Sequence, residues 1–303
     1  MERLSDLQVR IKNLTELADV VGAMRSLAAV RVQQARETLP AIRKYTQVIE
    51  GALARAFALS SRIDAPPQRV PSGRNAAAIA FTSEHGFVGA FNEHILDRAA
   101  ALLAAPGDCL LIVGSRGAEL AHARKLNMAW TIPMSTHGGD VPQVTRRIAK
   151  EIYRRAGQSE LRRVTLVYSK TASGAASEIV VSTLLPFDPA PYLNAKADVG
   201  SPPLTTLRPK VLIDRLVDEL VYAELTRAAM ESLASANGAR LATMESAHSS
   251  IEKKLDDLSR DERRQRQNEI TTELLDIVTG AEAVAGQRAT TTTGGDSARE
   301  DRW

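Results

Sequence analysis

His85-Gly-Phe-Val-Gly-Ala-Phe-Asn92 sets two glycines between an apolar run, Ala76–Thr82, and a helical pattern. Backbone amides exposed at a helix start, with glycines just before it, can cradle a phosphate. The third glycine of a dinucleotide fingerprint is missing, and no acidic partner can be placed for it. The same residues therefore also read as a tight strand-to-helix turn. Val113-Gly-Ser-Arg-Gly117 is bounded by glycine in the same way. No Gly-x-x-x-x-Gly-Lys-Ser/Thr loop is present, so the chain is not expected to hydrolyse nucleotides itself. His85, His94, His122, His137 and His248 form neither His-x-x-x-His nor His-Glu-x-x-His, and no zinc site is expected. Ser173 lacks the Gly-x-Ser-x-Gly frame of a nucleophile and reads as loop. Cys109 is the sole cysteine, which excludes an internal disulfide, a cysteine metal site and a thiol switch within the chain. No catalytic residue, cofactor or metal is expected.

One run remains, Arg260-Asp-Glu-Arg-Arg-Gln-Arg-Gln-Asn-Glu269. On a helix it is either a solvated face laced by i,i+4 pairs or a set of arginines that meet carboxylates on a partner. Both readings stay open at this point. Net charge does not decide: 39 Lys+Arg against 36 Asp+Glu gives +3, too small and too interspersed for a nucleic-acid binder. The opening Met-Glu-Arg-Leu-Ser-Asp-Leu has no apolar core like that of a signal peptide. No apolar run approaches the ~20 residues of a membrane span, so a soluble chain without direct membrane insertion is expected.

The elements around these motifs are dominated by helix. Hydrophobic residues make up 44% but aromatics only 4%, a mixture that favours long helices over one large mixed core. Steps of three and four from Leu4 reach Leu7, Ile11, Leu14, Ala18, Val21, Arg25, Ala28, Val32, Ala35, Leu39 and Ile42, all apolar but Arg25. That is a coiled-coil seam. Pro40 should kink or bend it. The pattern continues through Ile49, Leu53 and Phe57, predicting a helix of ~80 Å. From Val211 onward there is no proline. A second seam runs Leu241, Met244, His248, Ile251, Leu255, Leu258 and reappears at Ile270, Leu274, Ile277 and Ala281. A helix of about 75 residues would reach ~110 Å, more than a single small domain can bury.

Between these helices lie short apolar runs at 76–82, 109–114, 128–132, 163–168 and 178–185, interleaved with helical patterns at 88–104, 115–125 and 141–155. Alternation of this kind predicts an α/β Rossmann-like domain with a mostly parallel sheet, its last two strands able to pair as a hairpin. The expected organisation is an N-terminal coiled-coil helix (1–59), a linker (60–75), the α/β domain (76–186), a connector (187–208), a C-terminal coiled-coil helix (209–284) and a disordered tail (285–303). Long helices that flank one globular insert can pair antiparallel. The C-terminal one is longer, so its last turns should lack a partner within the chain. A lone helix is only marginally stable in water, so those turns call for partner subunits.

Ile270, Thr271, Glu273, Asp276, Gly280 and Ala281, with Arg266-Gln267 ahead of them, resemble the C-terminal signature of the γ-subunit family of F-type ATP synthases. Ala239-Arg-Leu-Ala-Thr-Met-Glu-Ser-Ala247 and Thr82-Ser-Glu-His-Gly-Phe-Val-Gly-Ala-Phe-Asn92 resemble two further blocks of that family. Arg10-Ile11, Ala23-Met24 and Ala28-Ala29 have its N-terminal spacing, and the resemblance spans residues 1–284. It implies a non-catalytic central shaft whose coiled coil enters a ring of α and β subunits. The globular part, with an ε subunit, would sit on a membrane rotor ring of c subunits, at the cytoplasmic face of the bacterial inner membrane. Ile270, Leu274, Ile277 and Val278 would be an apolar tip. Arg266, Gln267, Thr271 and Glu273 would be polar catches, and Met24 and Arg25 would face the lower part of β.

Several positions depart from the family pattern. Val21-Gly22 stand in place of Lys-Thr, Ser235-Ala236-Asn237 in place of Ser-Glu-His, and Glu84-His85 in place of Asp-Arg. They point to a divergent branch, such as the sodium-linked N-type ATPases, alongside the orthodox one. Two other classes fit the patterns: an α/β nucleotide-dependent enzyme dimerised through its helices, and a static coiled-coil scaffold.

Overall fold

The computed structural model describes residues 4–60, 73–171, 177–193 and 205–293. Most of the expected linker (61–72), the loop with Ser173, much of the connector (194–204) and the end of the tail (294–303) lie outside the described residues. The elements are α1 (Leu4–Ser60), β1 (Asn75–Phe81), α2 (Phe91–Ala100), β2 (Cys109–Val113), α3 (Ser115–Ala123), β3 (Met128–Ile132), a short 3-10 turn, α4 (Val141–Gly157), β4 (Leu161–Thr171), β5 (Ser177–Leu185), the four-residue α5 (Ala190–Leu193) and α6 (Pro209–Thr293). Two compact units result: residues 23–245, and residues 1–22 with 246–303.

In the larger unit one sheet of order β3-β2-β1-β4-β5 is parallel except for the β4–β5 hairpin. Side chains alternate across it with the period of two that a strand imposes. Ala77, Ile79 and Phe81, with Cys109, Leu111 and Val113, face α4, α6 and Ala35 and Leu39 of α1. Ala78, Ala80, Leu110 and Ile112 face α2 and α3 through Ile95, Leu96, Ala99 and Ala121. Both faces are covered, which is why β1 and β2 read as unbroken apolar runs. Asp108 holds the entrance to the sheet. Its carboxylate accepts from the N–H groups of Ala76 at 2.7 Å, Ala105 at 2.9 Å and Ala104 at 3.0 Å.

The paired helices are antiparallel. Ile49, Leu53, Ala56 and Phe57 of α1 pack on Ile213, Val217, Leu220 and Ala223 of α6, while Arg43, earlier in α1, meets Glu231, later in α6. Every seam position read from Leu4 to Ile42 is buried or half-buried, Arg25 included. Pro40 does not end α1, which is continuous through it; the proline lies on the exposed side while its neighbour Leu39 is buried. At the other end α6 runs past the expected boundary at residue 284 to Thr293. Thr290–Thr293 have low helix propensity, but no proline interrupts the stretch.

Burial raises the Asp108 pKa, but the three amide donors outweigh it and hold the carboxyl below its ordinary value. A depressed folded pKa contributes stability above the unfolded value of about 4 and loses it as pH falls through the folded one. Asp108→Ala is therefore expected to cost on the order of 3 kcal/mol near neutral pH. Urea denaturation should find the gap to the native chain narrowing as the pH falls below about 4.

Candidate partner interface

The motifs that carry glycine and charge turn out to be structural joints. Glu84 leaves the end of β1 and its carboxylate accepts from Ser115 N–H at 3.1 Å, Ser115 Oγ at 2.7 Å and Met134 N–H at 2.7 Å. A side-chain carboxylate thus satisfies the start of α3, where the sequence left a phosphate cradle open. Gly114 adopts φ +119°, and a Cβ at Gly117 would collide with Thr82, so these glycines let α3 sit against the end of β1. In His85–Asn92, Phe87 (φ 61°) and Gly89 (φ 56°) turn the chain into α2, and Asn92 closes the loop by accepting from Ser83 N–H at 2.9 Å. The strand-to-helix turn is the structure that forms. Among the described residues no group of His, Cys, Asp and Glu is placed to hold a metal ion, and no helix is long and apolar enough to cross a membrane. Cys109 is buried in the core, which pushes its thiol up.

A feature that sequence patterning did not bring out is the middle of α6. From Leu220 to Arg240 no residue is exposed. Glu231, whose side chain is 3% exposed, accepts from Arg43 Nη2 at 2.6 Å and Nε at 3.1 Å. Ser232 Oγ donates to Phe81 O at 2.6 Å. Arg240 donates from Nε to Gly86 O at 3.1 Å, from Nη2 to His85 O at 3.0 Å and from Nη1 to Asn237 Oδ1 at 2.7 Å. Beside the Arg43–Glu231 pair, burial and the Glu224 charge push Glu50 up against the pull of Arg227. The available signal was the density of small residues in Ala228-Ala-Met-Glu-Ser-Leu-Ala-Ser-Ala-Asn-Gly-Ala239, which marks a helix approached closely on several sides.

The residues expected to meet partners fall in two places. Met24 and Arg25 are half-buried on α1 in the larger unit. The other seven lie in the smaller unit on α6. There the seam at His248, Ile251, Leu255 and Leu258 is turned inward, and Gln8 Nε2 donates to Glu262 at 3.3 Å. Beyond Gln265 the seam faces no other element among the described residues. Arg266, Gln267, Thr271 and Glu273 are exposed, as is every residue from Arg266 to Glu282. Ile270 is 52% exposed, Leu274 58% and Ile277 68%, with Leu275 and Val278 alongside. Arg266 pairs with Glu262 at 2.7 Å, and Thr271 Oγ1 donates to Gln267 O at 2.8 Å, so the polar contacts here are within the helix. Of the two readings of the charged run, the i,i+4 pairing is realised within the chain, and the outward apolar stripe begins just beyond it.

A helical stretch without tertiary packing is held only by its own hydrogen bonds. In the isolated chain, amides of residues 270–282 should exchange at least about 100-fold faster than those of 220–240, where opening requires breaking the core. Hydrogen-exchange mass spectrometry of the full chain measures this directly.

A family model described as ATP synthase matches residues 3–284. The ATP synthase gamma chain of Anaeromyxobacter sp. strain Fw109-5 is 30% identical over 294 residues, covering 94% of this chain and all of that protein. That of Chlorobium chlorochromatii is 31% identical over 302 residues with the same coverage. Among solved structures, a chain of the Euglena gracilis mitochondrial ATP synthase rotor shares the fold at TM-score 0.60 and 13% identity, over 88% of this chain and 98% of its own. A chain from the central stalk and c-ring of the Tetrahymena thermophila enzyme does so at 0.54 and 17%, over 75% and 99%. With its two helical seams, parallel sheet and C-terminal signature, the chain belongs to the ATP synthase gamma chain family, the central-stalk rotor subunits of F-type ATP synthases.

Proposed function

We propose that this subunit contributes no catalytic group of its own and works as the shaft that makes the catalytic sites of an α/β ring unequal. The observation that carries this reading is the exposure of Ile270, Leu274, Leu275, Ile277 and Val278 along one stretch of α6. Covering each would stabilise an assembly by about 1–2 kcal/mol, given that each is already partly shielded. Apolar side chains supply a surface that slides, because dispersion contacts have little directional preference. Arg266, Gln267, Thr271 and Glu273 add polar points that make some rotational positions better than others. A shaft of unequal sides inside a ring offers each surrounding site a different contact energy at each angle. The angle then biases which sites are open, and by linkage the occupancy of the sites biases the angle.

In this reading the tip enters the ring of α and β subunits, with Met24 and Arg25 against the lower part of β. The larger unit, with an ε subunit, rests on the c-subunit rotor ring at the cytoplasmic face of the bacterial inner membrane. Ion flow through that ring turns the shaft. The departures at Val21-Gly22, Glu84-His85 and Ser235-Ala236-Asn237 support a place in a divergent branch, of which the sodium-linked N-type ATPases are the example.

Two measurements test the reading. The purified chain is expected to have no ATPase activity, and robust hydrolysis by the chain alone would remove the shaft model. In the assembled complex, Glu273→Cys is expected to cross-link to a cysteine on a facing ring subunit under oxidation, abolishing turnover until reductant restores it. Unchanged turnover of the fully cross-linked complex would point instead to a static scaffold.

A further inference from the structure

Arg31 of α1 and Arg240 of α6 lie side by side in the larger unit, on a cleft of about 330 Å³ also lined by Met24, His85 and Phe87. Arg240 is 9% exposed, and its three hydrogen bonds go to neutral acceptors: two carbonyls and an amide oxygen. A guanidinium has five N–H donors, so two of its donors remain. Arg31 Nε is buried with no acceptor. Burial first, and then the neighbouring Arg31 charge, push the Arg240 guanidinium down. Among the described residues neither arginine has an ion-pair partner. Glu84, the acidic side chain that borders the narrow space behind them, is already committed to Ser115 and Met134.

Two guanidinium groups on one cleft, Arg240 buried and Arg31 partly so, repel each other, and the cost falls when an anion is supplied. Planar guanidinium forks match the edges of a tetrahedral oxyanion and can bond it bidentately. A doubly charged anion neutralises both cations, whereas a single carboxylate leaves one uncompensated. Each water occupies roughly 30 Å³ in the liquid, so the cleft has room for a small anion and part of its hydration shell. We propose that Arg31 and Arg240 form a binding site for a small phosphate-class oxyanion between α1 and α6 of the larger unit. This inference is independent of the shaft reading, because it concerns the chain by itself and is tested without a ring.

The test is calorimetric titration of the full chain with inorganic phosphate, at ionic strength held constant with chloride. Thermal unfolding is followed in parallel in phosphate, acetate and chloride. Saturable one-to-one phosphate binding is expected, with a matching rise in Tm. Arg31→Gln keeps helix propensity and is expected to weaken binding at least about tenfold. Arg31→Lys, which keeps the charge but loses the fork, is expected to fall between the two. Arg124→Gln, which removes a pair with Asp97 outside the cleft, should bind as the native chain does. Absence of saturable binding, equal binding by Arg31→Gln, or an equal response to acetate would each overturn the proposal.

Discussion

The segment of α6 from Leu220 to Arg240 is surrounded on every side, and the larger unit is organised by that constraint. One flank packs on the sheet through Leu225, Ala228 and Ala229; another lies against Ala35 and Leu39 of α1; Ala236 reaches the cluster on the opposite sheet face. A helix can be approached this closely only where its side chains are short, since helix axes 8–10 Å apart leave little room between backbones. Ala223, Ala228, Ala229, Ala234 and Ala236 meet that demand with almost no loss of side-chain entropy. The few larger or polar groups in the segment must then be met one by one: Ser232 sits on a strand carbonyl, Glu231 on Arg43 and Arg240, in part, on the loop after β1, while Arg227 Nε is buried without a hydrogen-bond partner among the described residues.

The polar contacts also set register. Apolar seams made largely of alanine and leucine tolerate slippage, because neighbouring positions along such a seam are nearly equivalent. Arg43–Glu231 on one side and Arg240 with the His85 and Gly86 carbonyls on the other make only one alignment satisfactory. Arg43 is half-exposed while Glu231 is not, so the pair gains less than a buried one would, yet leaving Glu231 unpaired would strand a buried carboxylate. Its contribution is therefore to specificity of alignment more than to net stability.

Much of this was readable in the order of the residues. The heptad positions of α1, the five strands and the final hairpin follow from periodicity, because a helix repeats every 3.6 residues and a strand every two, and a buried face must repeat with them. The outward stripe at Ile270, Leu274 and Ile277 was equally visible, since a seam that outlasts its partner has nowhere to turn. Pro40, read as a kink or bend, lies inside one continuous helix, with its neighbour Leu39 packed in the core.

By itself, the sequence determined the element types and the two seams, which depend on spacing along one chain, and its motifs carried the resemblance to the family. Tertiary structure alone decided that Glu84 would close the start of α3, that Glu231 would meet Arg43, and that Arg31 and Arg240 would line one cleft. These pairings join residues 31 to more than 200 positions apart. No periodicity encodes them, because which charge meets which is settled only when the backbone path has brought distant segments to the same place.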